Sequence, residues 1–123
     1  MAYELTWYIP DKVLLLEVSG DYTLKDAEDV DELMHDKLNH SQKQLLVLIN
    51  AMKMDRPYNF NQIRLSQTYM DHRQLKSIYV ASGDRLVKLA MMVIFNLSRA
   101  RLLTYDSLDN AMSILQSHLN AIR

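Results

Sequence analysis

"YELTWYIPDKVLLLEVSG", residues 3–20, holds two apolar runs of strand length with only Pro10-Asp11-Lys12 between them. Tyr3 to Ile9 alternates and is rich in Tyr, Thr and Trp, which predicts a half-buried strand. Val13 to Val18 predicts a second strand, closed by Gly20. Proline pre-sets its own φ and aspartate favours turn geometry, so the intervening triplet reads as a compact turn. A parallel crossover needs a dozen residues or more, so these two strands must pair antiparallel. The chain therefore begins with a hairpin. That excludes a plain flavodoxin-like or Rossmann start, where a helix follows the first strand.

Beyond the hairpin the periodicity changes. Thr23 caps a helix, with Asp26 completing a variant of the capping box. Leu24, Ala27, Val30, Met34 and Leu38 repeat at helical spacing, while Lys25, Glu28, Asp29, Glu32 and Asp36 form a solvated face. Leu45 to Ile49 is a continuous apolar run, the mark of a central strand covered on both sides. Asn59 and Gln62 signal the next helix, with Phe60, Ile63, Gln67 and Met70 on one side and Leu65 and Tyr69 on another. Ser77 to Ala81 predicts a further buried strand, ended by Ser82-Gly83-Asp84 as turn and cap. Residues 86–97 are helical, Arg101 to Tyr105 is the last strand, and Asp106 or Ser107 caps a final helix carrying Leu108, Ala111, Leu115, Leu119 and Ile122. The order is ββαβαβαβα, with four helices. The later units are βαβ crossovers, so those strands should be parallel and helix-covered, giving an α/β fold with a mixed central sheet.

With 123 residues and no linker, repeat or low-complexity segment, the chain reads as one domain, residues 1–123, able to build a single core. Its 49% hydrophobic and 24% charged residues are those of an ordinary globular protein. A net charge of -1 gives no argument for nucleic acid or membrane binding. The charge is unevenly divided: residues 1–40 hold 10 acidic and 3 basic groups, residues 41–123 hold 5 and 11. This reads either as two solvated faces of one globule or as a mildly basic later surface for an acidic partner. The absence of cysteine removes disulfides, thiolate metal sites and cysteine nucleophiles, and fits a reducing cytoplasm. Leu89 to Phe95 is far shorter than the roughly 20 residues of a membrane span, and the N-terminus lacks the pattern of a signal peptide. The expectation is a soluble, cytoplasmic protein.

The element order resembles the STAS domain, the fold of bacterial anti-sigma-factor antagonists (SpoIIAA-like proteins) and of the cytoplasmic tails of sulfate transporters. The likeness covers essentially the whole chain: the first hairpin, the strand LLVLIN, the turn VASGDR and the final segment LLTYDSLDNAMSIL. In antagonists of that family the strand matching Leu45–Ile49 leads into an Asp-Ser-Ser-Gly loop, where a partner kinase phosphorylates a serine and switches partner binding off. Here the corresponding stretch is LINAMKMDRPYNFNQ, residues 48–62. Asp55 matches the aspartate. Arg56 and Pro57 fall where the serines would be, and Tyr58 where the glycine would be. The nearest Ser or Thr downstream is Ser66, roughly two turns into the helix. The resemblance thus implies a regulatory, protein-binding domain without the family's phosphoacceptor.

Two candidate surfaces follow. The first is a recognition edge formed by Lys53, Asp55, Arg56, Tyr58, Asn59 and Asn61 with Ser82, Gly83, Asp84 and Arg85, at the carboxyl ends of adjacent strands. Helix starts there offer unpaired N–H groups, and Arg56 has a planar fork for a carboxylate or phosphate. The bland reading is that Pro57 and Asn59 stiffen and cap an ordinary loop. The second is helix 86–97, LVKLAMMVIFNL, where only Lys88 and Asn96 are polar. A helix apolar all round is buried on more than one side, either within the monomer or against another chain. Met91, Met92 and Phe95 are the expected apolar interface, pointing to a homodimer or a protein partner.

Other chemistry finds no support. His35, His40, His72 and His118 lack metal-ligand spacing, and there is no glycine-rich phosphate loop or nucleophile elbow. No catalytic residue, metal or cofactor is expected. Trp7, Tyr3 and Tyr8 on the first strand leave one alternative open, a carrier or sensor of a small hydrophobic, lipid-like ligand. That alternative predicts an enclosed cavity lined by Met and aromatic side chains.

Overall fold

A computed structural model of the protein describes residues 2–55, 60–95 and 100–121, with the backbone alone described at 60, 61 and 93–95. The elements are β1 (Tyr3–Ile9), β2 (Val13–Gly20), α1 (Leu24–Asn39), β3 (Leu45–Met54), α2 (Phe60–Ser66), a 3₁₀ turn (Thr68–Asp71), β4 (Leu75–Ala81), α3 (Arg85–Phe95), β5 (Arg101–Tyr105) and α4 (Leu108–Ala121). They realise the expected order and a five-stranded mixed sheet, β1-β2-β3-β4-β5. The hairpin is antiparallel and every later pairing is parallel. Its turn closes by the Lys12 N–H donating to the Ile9 carbonyl at 3.0 Å. Asp11 takes φ of 63° there. With proline before it, this is the pattern of a type II turn, and aspartate is one of the few non-glycine residues that enter the left-handed region readily.

Because the parallel strands step across the sheet in chain order, crossovers of one hand place their helices on one face. Ala27, Val30, Met34 and Leu38 of α1, Ile63 of α2, and Val87 and Met91 of α3 pack there with Leu14, Leu16, Val47, Ile49, Ile78 and Val80. On the other face α4 stands alone, its Ala111 and Leu115 against Leu46, Leu48 and Tyr79. All five residues of Leu45–Ile49 are buried. Each such side chain contributes about 1.5–3 kcal/mol on burial, so the central strand anchors both layers.

Three local features depart from the sequence reading. The central strand does not stop at Ile49 but continues to Met54, because β2 runs on to Gly20 and pairs with it, Ser19 opposite Lys53 and Gly20 opposite Met54. A register shift between Glu17 and Ser19 breaks the alternation, so Met52 and Lys53 are both exposed. The second helix ends at Ser66 rather than reaching Met70. Gln67 turns inward, 4% exposed, and its side-chain amide donates to the Ala27 carbonyl of α1 at 3.0 Å. Asp31 of α1 captures the segment that follows, accepting from the Thr68 hydroxyl at 2.7 Å and the Tyr69 N–H at 2.8 Å. The fourth strand starts at Leu75, two residues before the expected Ser77. Two helix caps are as read: Thr23 and Asp26 form a reciprocal capping box, and Ser107 caps α4 by accepting from the Asn110 N–H at 3.1 Å, while the expected Asn59 cap lies outside the described residues.

Candidate functional site

The carboxyl end of the sheet carries most of the residues expected to form the recognition edge. Arg56, Pro57, Tyr58 and Asn59 lie outside the described residues, as do the side chains of Asn61 and Phe95. Asp55 is exposed just past β3, its N–H held by the Gly20 carbonyl at 2.9 Å. Lys53 belongs to β3, not to a loop. It lines a shallow groove of about 240 Å³ with Glu4 and Glu17, so its neighbours are carboxylates of the hairpin rather than the turn after β4. What meets that turn is Met52. A Cβ added at Gly83 would sit 3.6 Å from the Met52 methyl and 3.9 Å from the Asp106 carbonyl. The ends of β3, β4 and β5 therefore converge at residues 52, 83 and 106.

The polar side chains of this turn are spent on local structure. Ser82 is buried, and its hydroxyl accepts from the Asp84 N–H at 3.2 Å. The Asp84 carboxylate accepts from the N–H groups of Leu86 at 2.8 Å and Val87 at 3.4 Å, capping α3. Lys88 on the next turn is ion-paired with Asp106. These contacts satisfy the helix's orphan donors and fix the direction of α3. Only Arg85 keeps an exposed charge at the helix start.

Above this cap the outer face of α3 is apolar. Leu86 is 50% exposed, Leu89 47% and Met92 48%. Met91, expected on the contact face, is instead 6% exposed and packed in the core beside Val87. The i, i+3, i+6 series Leu86, Leu89, Met92 carries the outward surface, and Leu86 and Leu89 were not singled out from the sequence. Their spacing was readable. What was missing was which arc of an all-apolar helix faces the sheet. On neighbouring elements Met52 is 42% exposed and Leu65, on α2 beside α3, 73%.

The amino end of the sheet differs. Two grooves flank the β1–β2 turn, sharing Asp11 and Lys43. One, of about 640 Å³, is lined by Trp7, Asp36, Lys37 and His40 on the α1 side. The other, of about 580 Å³, lies on the α4 side and is lined by Ile9, Lys12, Leu46, Lys76 and Leu119. Neither is lined by the methionines expected of a lipid-like cavity.

His35, His72 and His118 join elements, while His40 donates from Nδ1 to the Asp36 carbonyl of its own helix at 2.7 Å. His35 donates to the Thr68 hydroxyl at 2.7 Å, since that hydroxyl's own proton goes to Asp31. His72 accepts from the Gln74 N–H at 3.0 Å through Nδ1, which leaves Nε2–H to donate to Asn39 at 2.7 Å. Partial burial, then the neighbouring His35, pushes the His72 pKa below its ordinary value. His118 Nδ1 and the Tyr79 hydroxyl share a hydrogen bond at 2.5 Å, joining α4 to the sheet. Two phenols, Tyr22 and Tyr69, are buried, and burial raises both pKa values. Among the described residues no group of three or more His, Asp or Glu side chains is placed to hold a metal ion. No described helix is long and apolar enough to cross a membrane.

An α/β domain whose antiparallel hairpin feeds an otherwise parallel sheet, with three helices on one face and one on the other, is of the SpoIIAA-like kind. A solved structure bears this out: an uncharacterised protein of the DUF3478 family with a SpoIIAA-like fold, from Shewanella loihica, superposes with a TM-score of 0.67. The match covers 93% of this chain and 92% of that one at 16% sequence identity, a likeness of fold. No protein-family model and no curated protein matches the chain.

Proposed function

We propose that the protein is a non-enzymatic regulatory or binding domain that docks another protein, first of all a second copy of itself, through the outer face of α3. The observation that carries this reading is the half-exposure of Leu86, Leu89 and Met92 on a surface helix. A helix covering a sheet normally turns a polar back to water. Contiguous exposed apolar side chains, by contrast, mark interaction surfaces. The cap by Asp84 and the Lys88–Asp106 pair hold this face in a fixed orientation, which lowers the ordering cost of association. Methionine adds adaptability, since its unbranched thioether fits irregular partners. A self-complementary contact about a two-fold axis brings the same face of each copy together. A chain with no cysteine suits a reducing compartment, and the reading places it in the cytoplasm.

The test is size-exclusion chromatography with light scattering over a concentration series. Wild type should elute as a dimer at high concentration. Leu89→Asp should shift it to monomer while the circular dichroism melt stays unchanged. A wild-type protein that remains monomeric throughout would refute self-association by this face.

A further inference from the structure

The groove of about 580 Å³ on the α4 side of the amino end combines two properties that nothing above uses. Ile9, Leu46 and Leu119 supply an apolar floor, and Lys12, Lys43 and Lys76 supply cations from three separate chain segments. Those segments are held together by the backbone. The Lys12 carbonyl accepts from the Leu46 N–H at 3.0 Å, Lys43 enters β3, and Lys76 sits where the β3–β4 register shifts.

We propose that this groove binds a small amphipathic anion, a carboxylate on a short apolar body. The site lies at the opposite end of the sheet from the α3 face and is independent of it. Outside the groove, Lys25 is paired with Asp29 at 3.1 Å and Lys88 with Asp106. Among the described residues none of the three groove lysines is in an ion pair. Asp11 is the one carboxylate among the residues lining the groove, and the carbonyl end of α4 adds roughly half a negative charge. Three ammonium groups outweigh both. The cations attract the head group and repel a cation of the same shape, while the floor takes the body. The volume falls within the roughly 300–1,000 Å³ of small-molecule sites.

Octanoate, octanol and octylammonium, titrated into the protein below their aggregation limits, separate charge from apolar contact. Amide chemical shifts report both position and affinity. Octanoate should saturate, moving the amides of Lys12, Lys43 and Gln116. The surface triple variant Lys12→Gln/Lys43→Gln/Lys76→Gln should weaken it about tenfold or more, and Asp11→Asn should tighten it about twofold. Binding should also weaken as salt rises. Equal affinity for octanol or octylammonium overturns the proposal. So do shifts centred on Leu86, Leu89 and Met92, or no saturation at all. Loss of dimerisation in the α3 variants leaves this result untouched, so the two readings fail separately.

Discussion

The two ends of this sheet use their side chains in opposite ways. At the carboxyl end the polar groups are consumed: Ser82 and Asp84 cap α3, and Lys88 is paired with Asp106. On α3 the described side chains left facing water beyond Arg85 are the apolar Leu86, Leu89 and Met92. At the amino end the apolar groups form a floor, and the lysines above it have no ion pair among the described residues. On the reading proposed above, one end is a surface for burying area against another protein and the other a place for charge. In an open α/β sheet the carboxyl edge is the usual ligand position. Here the described polar side chains of the turn after β4 direct their hydrogen bonding inward, and the docking proposed for α3 would rest on shape and apolar contact.

Both ends depend on the shared centre, and breaking it should have the largest effect. Leu48→Ala removes a fully buried side chain of β3 and should cost about 2–5 kcal/mol in urea denaturation, abolishing dimerisation and octanoate binding together. Asp84→Ala separates the ends. Loss of two capping bonds should cost about 1 kcal/mol and weaken the dimer, while octanoate affinity is unchanged. Met92→Asp should sharpen the contrast further, shifting stability by no more than about 0.5 kcal/mol but eliminating the dimer. The smallest effect concerns His72, which sits just before β4 at the amino end but lines neither groove beside the hairpin turn. Its folded pKa is depressed, so the folded state binds the proton less readily than the unfolded chain. Its stabilising contribution is therefore complete above about pH 6.5 and is lost as pH falls through the folded value. His72→Gln should flatten that part of the stability–pH profile. Protonation of the ring turns Nδ1 into a donor and removes the bond from the Gln74 N–H, so an unchanged slope would mean that His72 does not carry this part of the profile.

Much of this architecture was legible in residues 3–20, where a three-residue turn between two apolar runs permits only a hairpin. The later alternation of strand-length and helix-length patterns then leaves a parallel sheet with crossovers. The extension of β3 through Lys53 was not legible, because "NAMKM" has no continuous apolar pattern. Its strand geometry comes from the free edge of β2 near Gly20, a tertiary partner. The end of α2 at Ser66 was hidden for the same reason: Gln67 and Thr68 are captured by Ala27 and Asp31 of a distant helix. For the site, the apolar character of residues 86–97 was plain, but the sheet-facing arc was not, and Met91 was assigned outward when it packs inward. The lysine groove had no sequence signal. Lys12, Lys43 and Lys76 are far apart in the chain, and only the alignment of strand starts brings them together.

The central claim, that α3 presents a self-complementary face, can be tested directly because the chain contains no cysteine. Single variants Leu86→Cys, Leu89→Cys and Met92→Cys, with Leu33→Cys on exposed α1 as reference, can be oxidised mildly at matched concentration and resolved by non-reducing electrophoresis. Within the α3 set, a position near the two-fold axis should form the intermolecular disulfide far faster than Leu33→Cys, and urea should abolish the difference. Equal, slow cross-linking at all four positions would contradict the account.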